Sequence, residues 1–261
     1  MLSYQHSFHA GNLADVQKHA ILAFVLDYMT CKDKPISYIE SHAGRGLYDL
    51  NDADANKTGE AAQGILKVAD WFDDSSPYLR ALAATKDAHG DNAYPGSPLI
   101  AQALLRANDS LHLAELHPGE YAALRVNARS HTTKIYQQDG LELIQSLAPP
   151  TPRRGVLLID PPWEIKSDYQ TIPTTLAKLH RKWNVGVLML WYPILTDGRH
   201  KPMLATLSQN FPDALCHEVT FPPARKGHGM VGSGMFVVNP PWGLGNFAKD
   251  LTKRFKKMSK G

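Results

Sequence analysis

Short apolar runs recur along the chain and alternate with segments whose apolar residues follow helical spacing. Seven of the runs predict β-strands: residues 36–41, 111–116, 132–138, 156–159, 185–190, 215–221 and 235–238. The run at 156–159 is wholly aliphatic, which is typical of a strand buried on both faces of a parallel sheet. Helical spacing follows from about residue 13, over 141–147 and 169–182, and near the end of the chain. The alternation predicts a doubly wound α/β sheet.

The pattern changes between about residues 49 and 94. A polar, turn-rich stretch leads into apolar residues at helical spacing from Ala62 to Phe72, and a second short helix is predicted from Tyr78. We interpret 49–94 as a small helical insertion and not as a second globular domain. The prediction is therefore a single domain over 1–261.

The first twelve residues form a predicted N-terminal arm that is rich in aromatic and imidazole groups, including Tyr4 and His6. Asn12, with Asp15 three residues later, predicts a helix N-cap, which places Lys18 and His19 in the first turns of the helix. Two interpretations stay open. The arm packs over the core, or it closes over a ligand and meets a substrate base or its phosphates.

Three of the predicted strands end in residues suited to a nucleotide-like cofactor. The first runs into residues 42–46, where Gly44 and a second glycine two positions on allow backbone to approach a ligand closely. Glu115 ends the next strand, where a carboxylate usually holds ribose hydroxyls. Asp139, before Gly140, is placed to accept from an adenine amino group. For both acids the alternative is an ordinary turn residue at the end of a strand.

Ser97 precedes Pro98 and predicts a helix start, with serine as the N-cap and proline at the first helical position. Capping is one role for this hydroxyl. A helix N-terminus also receives anionic groups such as a ligand carboxylate, so both roles are compatible.

The strand at 156–159 ends in Asp160, Pro161, Pro162 and Trp163. The prolines lack N–H groups and fix φ, so they end the strand in a rigid turn. Asp160 and the Pro161 carbonyl supply two acceptors for an exocyclic amine, and Trp163 supplies a ring that can stack on a flat base. Such a turn is typical of amino-methyltransferases that use S-adenosylmethionine. A similar turn at 239–242 follows the last strand, and we interpret its Asn239 as structural.

Composition limits the class of protein. With 43% hydrophobic and 20% charged residues the chain is typical of a globular protein, and no apolar run reaches the length of a membrane span. Two distant cysteines favour a reduced, cytoplasmic protein without a structural zinc site, and no cluster of carboxylates indicates a nuclease metal site. A net charge of +3 permits nucleic-acid binding, but its even spread along the sequence maps no RNA path.

Taken in order, the motifs resemble the RlmJ-type 23S ribosomal RNA adenine-N6 methyltransferases over nearly the whole chain. The resemblance is carried by residues 3–12, 18–19, 41–46, 94–100, 115–118, 139–140, 158–162, 191–193 and 233–242. It implies a monomeric, Rossmann-like class I S-adenosylmethionine-dependent methyltransferase with a seven-stranded, mostly parallel sheet, an antiparallel last strand and a small helical insertion. The implied substrate is 23S rRNA.

The same resemblance assigns roles to individual residues. Family cofactor contacts map onto His19, His42, Ser97, Glu115, Asp139, Gly140 and Asp160, with Lys18 beside them. Tyr4 and His6 match the family's substrate-side arm. One position departs from the pattern, since Trp163 stands where the family has tyrosine.

Two other functions are compatible with parts of the sequence. A DNA adenine-N6 methyltransferase shares the Asp-Pro-Pro-aromatic turn, but it normally carries a sizeable recognition domain, and an insertion of about 45 residues is small for that role. A nucleic-acid-binding protein without catalysis, linked to use of external DNA, is the other alternative. Intact Asp160, Glu115 and Asp139 argue against it.

Overall fold

The computed structural model describes residues 10–52, 60–223 and 229–258. The strands in these ranges are β1 (Ser37–Glu40), β2 (Leu47–Asp49), β3 (Ala93–Pro95), β4 (Ser110–Ala114), β5 (Thr133–Tyr136), β6 (Gly155–Ile159), β7 (Val187–Leu195), β8 (Leu215–Thr220) and β9 (Met230–Val238). The α-helices are α1 (Leu13–Thr30), α2 (Glu60–Gln63), α3 (Ile65–Val68), α4 (Pro77–His89), α5 (Ser97–Leu104), α6 (Pro118–Asn127), α7 (Gly140–Leu147), α8 (Asp168–Lys182), α9 (His200–Asn210) and α10 (Leu244–Met258). A short 3₁₀ helix, Ala69–Trp71, follows α3.

Seven strands form one sheet in the order β5-β4-β1-β6-β7-β9-β8. All neighbouring pairs from β5 to β7 are parallel, whereas β9 is antiparallel to both β7 and β8. The seven predicted strands are all present. This sheet, with its antiparallel last strand, confirms the Rossmann-like class I methyltransferase fold.

Strands β7 and β9 are longer than their apolar runs predicted. β7 continues through Trp191 and Tyr192 to Leu195, and β9 begins at Met230 instead of at residue 235. The two strands pair with each other along this extension, and Gly234 lies opposite Tyr192. A Cβ at Gly234 would lie 2.1 Å from the tyrosine ring, so glycine makes room for a buried aromatic residue in a segment whose composition resembles a loop.

A two-stranded pair, β2 with β3, was not predicted and joins the two ends of the segment at 49–94. Between them lie helices α2, α3 and α4. Ile65 and Tyr78 from this segment share a hydrophobic core with Ile21 of α1. The helices agree with the sequence pattern, and the division of the chain into one domain with an insertion stays a prediction.

Helix α1 carries two of the predicted site residues and is buried on nearly all sides. Asn12 caps it by accepting from the backbone N–H of Asp15, as predicted. Fourteen of its eighteen residues are buried, because the helix lies between the sheet, the helices of 60–89 and α10. Lys18 and His19 are thereby held beside the sheet. No helix in the part of the chain described above is both long and apolar enough to cross a membrane.

Candidate active site

The carboxyl ends of the parallel strands open onto a cavity of about 430 Å³. Eleven residues predicted for catalysis or cofactor binding lie in the described ranges, and all of them line this cavity: Lys18, His19, His42, Gly44, Ser97, Glu115, Asp139, Gly140, Asp160, Pro161 and Trp163. They come from six separate segments of the chain. Tyr4 and His6, the predicted RNA contacts of the arm, lie outside the described residues. The predicted strand-end motifs therefore converge on one site.

A buried ion pair joins α1 to the end of β6. Lys18 Nζ lies 2.6 Å from Asp160 Oδ2 and 3.1 Å from Asp15 Oδ1. Burial lowers the pKa of Lys18, but the nearby carboxylates Asp160 and Asp15 outweigh burial and raise that pKa above its usual range. Lys18 therefore remains an ammonium group that directly contacts Asp160, a contact that the sequence did not predict.

Glu115 fixes the turn after β1. Its two carboxylate oxygens accept from the backbone N–H groups of Gly44 and His117, each at 2.8 Å. Burial raises the pKa of Glu115 despite these hydrogen bonds. Gly44 has a φ of +60°, and a Cβ there would lie 2.7 Å from the hydroxyl of Tyr48, so glycine is needed at this position. The hydrogen bonds from the backbone N–H groups to Glu115 thus fix the position of this turn at the edge of the cavity.

Asp139 and Gly140 bring the start of α7 to the same edge. Asp139 caps the helix by accepting from the backbone N–H of Glu142 at 3.0 Å, and it also lines the cavity. A Cβ on Gly140 would lie 1.7 Å from the carbonyl oxygen of Ser41. Only glycine allows α7 to approach the end of β1 this closely.

The prediction that Ser97 caps α5 is wrong. Gly96 is the N-cap and Ser97 is the first residue of the helix, without a side-chain cap hydrogen bond. The Ser97 hydroxyl instead donates to Glu40, which also accepts from the hydroxyl of Tyr38 at 2.8 Å. The Glu40 side chain is completely buried at the end of β1, and the hydrogen bonds from the two hydroxyls satisfy its buried oxygens.

Glu40 was not predicted as a site residue, and its ionisation is coupled to folding. Burial raises its pKa to about 8 from an ordinary value of 4.5, against the hydrogen bonds from Ser97 and Tyr38, which lower it. Asp160 raises this pKa further, and Lys18 lowers it. Between pH 4.5 and 8 the unfolded chain loses the proton that the folded chain retains.

Stability is therefore expected to fall as the pH rises from about 5 to 8, with Glu40 contributing up to about 3 kcal/mol. Glu40→Gln resembles the protonated carboxyl group and should remove this part of the slope. Urea unfolding of both proteins across this range measures the difference. Parallel stability curves for the two proteins would show that Glu40 is ionised in the folded state throughout.

Trp163 adopts a conformation that the sequence did not predict. Its backbone φ is +57°, and only 5% of its surface is exposed. The indole ring packs against the ring of Tyr169, with the two ring centroids 4.5 Å apart. The indole N–H is buried without a hydrogen-bond partner in the described part of the chain. Stacking of Trp163 on a base stays a prediction, and in this conformation Tyr169 covers one face of the ring.

Trp191, at the end of the parallel part of β7, was missed as a site residue. It lines the cavity, donates from its indole nitrogen to the Ser233 hydroxyl at 2.8 Å, and lies with its ring 5.5 Å from Lys18 Nζ. The signal was present, because residues 191–193 follow an apolar run like the other strand-end motifs. The cavity therefore has a second indole besides Trp163.

The two histidines predicted for the site each lie within hydrogen-bond distance of a hydroxyl group, and a third, His117, also lines the cavity. His19 Nδ1 lies 2.9 Å from the Tyr94 hydroxyl, and His42 Nδ1 lies 2.7 Å from the Ser41 hydroxyl. Burial lowers the pKa of His42, so its ring is neutral near pH 7. Among residues 10–52, 60–223 and 229–258 there is no cluster of three or more His, Cys, Asp or Glu side chains arranged to hold a metal ion.

Comparisons with known proteins place this chain in a family. The model of the family described as "Ribosomal RNA large subunit methyltransferase D, RlmJ" matches residues 33–259. The protein named ribosomal RNA large subunit methyltransferase J of Escherichia coli (strain K12) is 39% identical over 94% of this chain and 89% of its own length. The protein of the same name from Haemophilus influenzae is 36% identical over 96% of this chain and 92% of its own length.

A solved structure is similar to this chain over nearly the same span. The crystal structure of a protein from Legionella pneumophila strain Philadelphia 1 is 32% identical, covers 96% of this chain and 94% of its own, and superposes with a TM-score of 0.85. The family model covers the cavity residues from His42 onward, and the two named relatives match 94% and 96% of this chain. The chain belongs to the RlmJ family of ribosomal RNA large subunit methyltransferases.

Proposed function

We propose that this protein transfers a methyl group from S-adenosylmethionine to the N6 amine of one adenine in 23S rRNA. The observation that carries the proposal is the cavity itself, in which an Asp-Pro-Pro turn and three cofactor-type strand ends meet. Relatives that match nearly the full chain carry the name of ribosomal RNA large subunit methyltransferases.

The residues around the cavity fit such a cofactor. A volume of about 430 Å³ lies in the range of small-molecule sites. Gly44 and Gly140 let backbone approach a ligand, Glu115 is suited to ribose hydroxyls, and Asp139 is suited to an adenine amino group. When bound, S-adenosylmethionine supplies the methyl group as an electrophile.

The chain's own groups orient and activate the target amine. Its lone pair is conjugated with the base, which makes it a poor nucleophile. The carboxylate of Asp160 and the carbonyl oxygen of Pro161 accept hydrogen bonds from the two N–H groups of this amine. These hydrogen bonds favour a tetrahedral nitrogen. Positioning of this kind lowers the activation free energy by roughly several kcal/mol. Because Lys18 is paired with Asp160, the carboxylate serves mainly as a hydrogen-bond acceptor and takes a proton only after the nitrogen becomes positively charged.

The base has to be unpaired or flipped out of its helix to enter the cavity. Two indoles line the cavity: Trp191, and Trp163, of which Tyr169 covers one ring face. In this proposal the protein is a monomer that acts in the cytoplasm on 23S rRNA. A DNA adenine-N6 methyltransferase is the second candidate, since the Asp-Pro-Pro-aromatic turn is common to both classes.

The test uses labelled S-adenosylmethionine with unmodified 23S rRNA and, in parallel, with double-stranded DNA. We expect N6-methyladenosine in the RNA alone, identified by mass spectrometry of the digested product. Label in DNA alone would replace the proposed substrate with DNA. Cofactor binding without methylation of free rRNA, of rRNA in ribosome precursors or of DNA would favour a nucleic-acid-binding protein without catalysis.

A further inference from the structure

Helix α10 has a basic face, and none of its residues lines the cavity. Its buried residues recur at helical spacing: Leu244, Ala248, Leu251 and Phe255. Four exposed lysines lie on the opposite face, and Arg254 lies at its side: Lys249, Lys253, Lys256 and Lys257. The acid in this helix is Asp250, which pairs with Lys253 at 2.8 Å. With five cations and one acid, α10 carries +4, against +3 for the whole chain. The expectation that charge is spread evenly along the sequence is therefore wrong at this helix, where positive charge is concentrated.

The direction of α10 links this face to the active site. Strand β9 ends at the edge of the sheet opposite the cavity, because it runs antiparallel to β7. α10 starts there and runs back along α1. Near its start, Phe247 stacks on Phe24 with centroids 4.9 Å apart. Further along, Thr252 lies 2.9 Å from His217, whose ring accepts from Gln17, the neighbour of Lys18. The carboxyl end of α10 thus approaches the cavity edge.

Trp242 stands at the beginning of this helix with 83% of its surface exposed. The turn that carries it is rigid, because it contains Pro240 and Pro241, and because Asn239 donates to the carbonyls of Asn184 and Gly186 at 3.0 and 2.8 Å. An indole held in a rigid turn and exposed to solvent presents a flat aromatic face together with an N–H donor to a binding partner.

We propose that Trp242 and the lysines of α10, together called the basic strip, bind the substrate RNA outside the active site. The proposal rests on the proposed function, because it takes that RNA as the occupant. Lysines along a helix of about 22 Å follow a phosphate backbone, and the indole provides a face on which an unpaired base stacks. A single indole at the start of a helix that carries five cations fits RNA better than the broad apolar centre of a protein interface.

Two variants test the strip, and a third with the same change in net charge serves as control. The first variant is Trp242→Ala. The second replaces three strip lysines, and the control replaces three exposed lysines elsewhere: K249Q/K253Q/K256Q against K86Q/K134Q/K178Q. Affinity of each full-length protein for a 23S rRNA transcript is measured by filter binding at several salt concentrations. Methylation kinetics and the Kd for S-adenosylmethionine are measured alongside.

The strip variant should bind RNA about tenfold more weakly than the control, and its slope of log affinity against log salt should decrease by about 2 to 3. Trp242→Ala should lose about tenfold in affinity with no change in that slope. In both, KM for RNA rises while kcat and the cofactor Kd remain as in the wild type. These results together support the strip.

Equal RNA affinities for the strip and control variants, or an unchanged RNA affinity for Trp242→Ala, would overturn the proposal. The exposed indole would then be assigned to contact with a protein partner. This failure differs from failure of the proposed function. If the wild-type protein binds rRNA but methylates none, the enzyme assignment fails, and the binding comparison still decides whether the strip holds RNA.

Discussion

Replacing Asp160 with alanine is expected to lower kcat for rRNA methylation by about 10³-fold or more. Asp160 follows β6 directly, lines the cavity and lies 2.6 Å from Lys18. Alanine removes an acceptor for the adenine amine, so the nitrogen loses the contact that favours its tetrahedral form. Single-turnover methylation of 23S rRNA with labelled cofactor measures the loss. The cofactor Kd, measured by calorimetry, should change far less than kcat.

The same substitution separates catalysis from stability. It leaves the buried Lys18 ammonium with Asp15 as its remaining carboxylate, 3.1 Å away, which should cost about 2–3 kcal/mol of unfolding free energy without loss of the fold. Adding Lys18→Met leaves the buried Asp15 carboxylate without its ammonium partner, so the double variant should not regain that stability and should remain inactive. Near-normal turnover in Asp160→Ala, or restored turnover in the double variant, would sink the assignment of Asp160.

The positions of the strand ends could be predicted because each buried strand is an apolar run that stops at a polar residue. Glu115, Asp139 and Asp160 each follow a strand of the parallel sheet, and parallel strands bring their carboxyl ends to one edge. Spacing along the chain was enough to place these acids together. The cavity that they line therefore follows from local patterns and one rule of topology.

Contacts between side chains of different layers could not be predicted in this way. Lys18 and Asp160 are 142 residues apart, and their contact depends on how α1 is rotated against the sheet. Ser97 matched the sequence signature of an N-cap, but the buried carboxyl group of Glu40 takes its hydroxyl. The pattern contains no information on that competing acceptor, because Glu40 becomes buried only when the whole sheet has formed.

Gly140→Ala is expected to weaken cofactor binding by about 100-fold and to lower the unfolding free energy by about 3 kcal/mol or more. An added Cβ would lie 1.7, 2.5 and 2.7 Å from the carbonyl oxygen, carbonyl carbon and Cα of Ser41, all of them backbone atoms. No side chain can rotate away to relieve this contact. The start of α7 has to move from the end of β1, and Asp139, which caps α7 and lines the cavity, moves with it.

The matched control is Gly245→Ala in α10, where an added Cβ meets nothing within 4 Å. Because alanine favours helix more than glycine does, this control should be neutral or more stable by up to about 1 kcal/mol, with cofactor affinity unchanged. Calorimetric titration with S-adenosylmethionine and urea unfolding measure both effects on the two variants. A Gly140→Ala protein with wild-type stability and cofactor affinity would show that α7 can shift without moving Asp139, and would remove the start of α7 from the cofactor site.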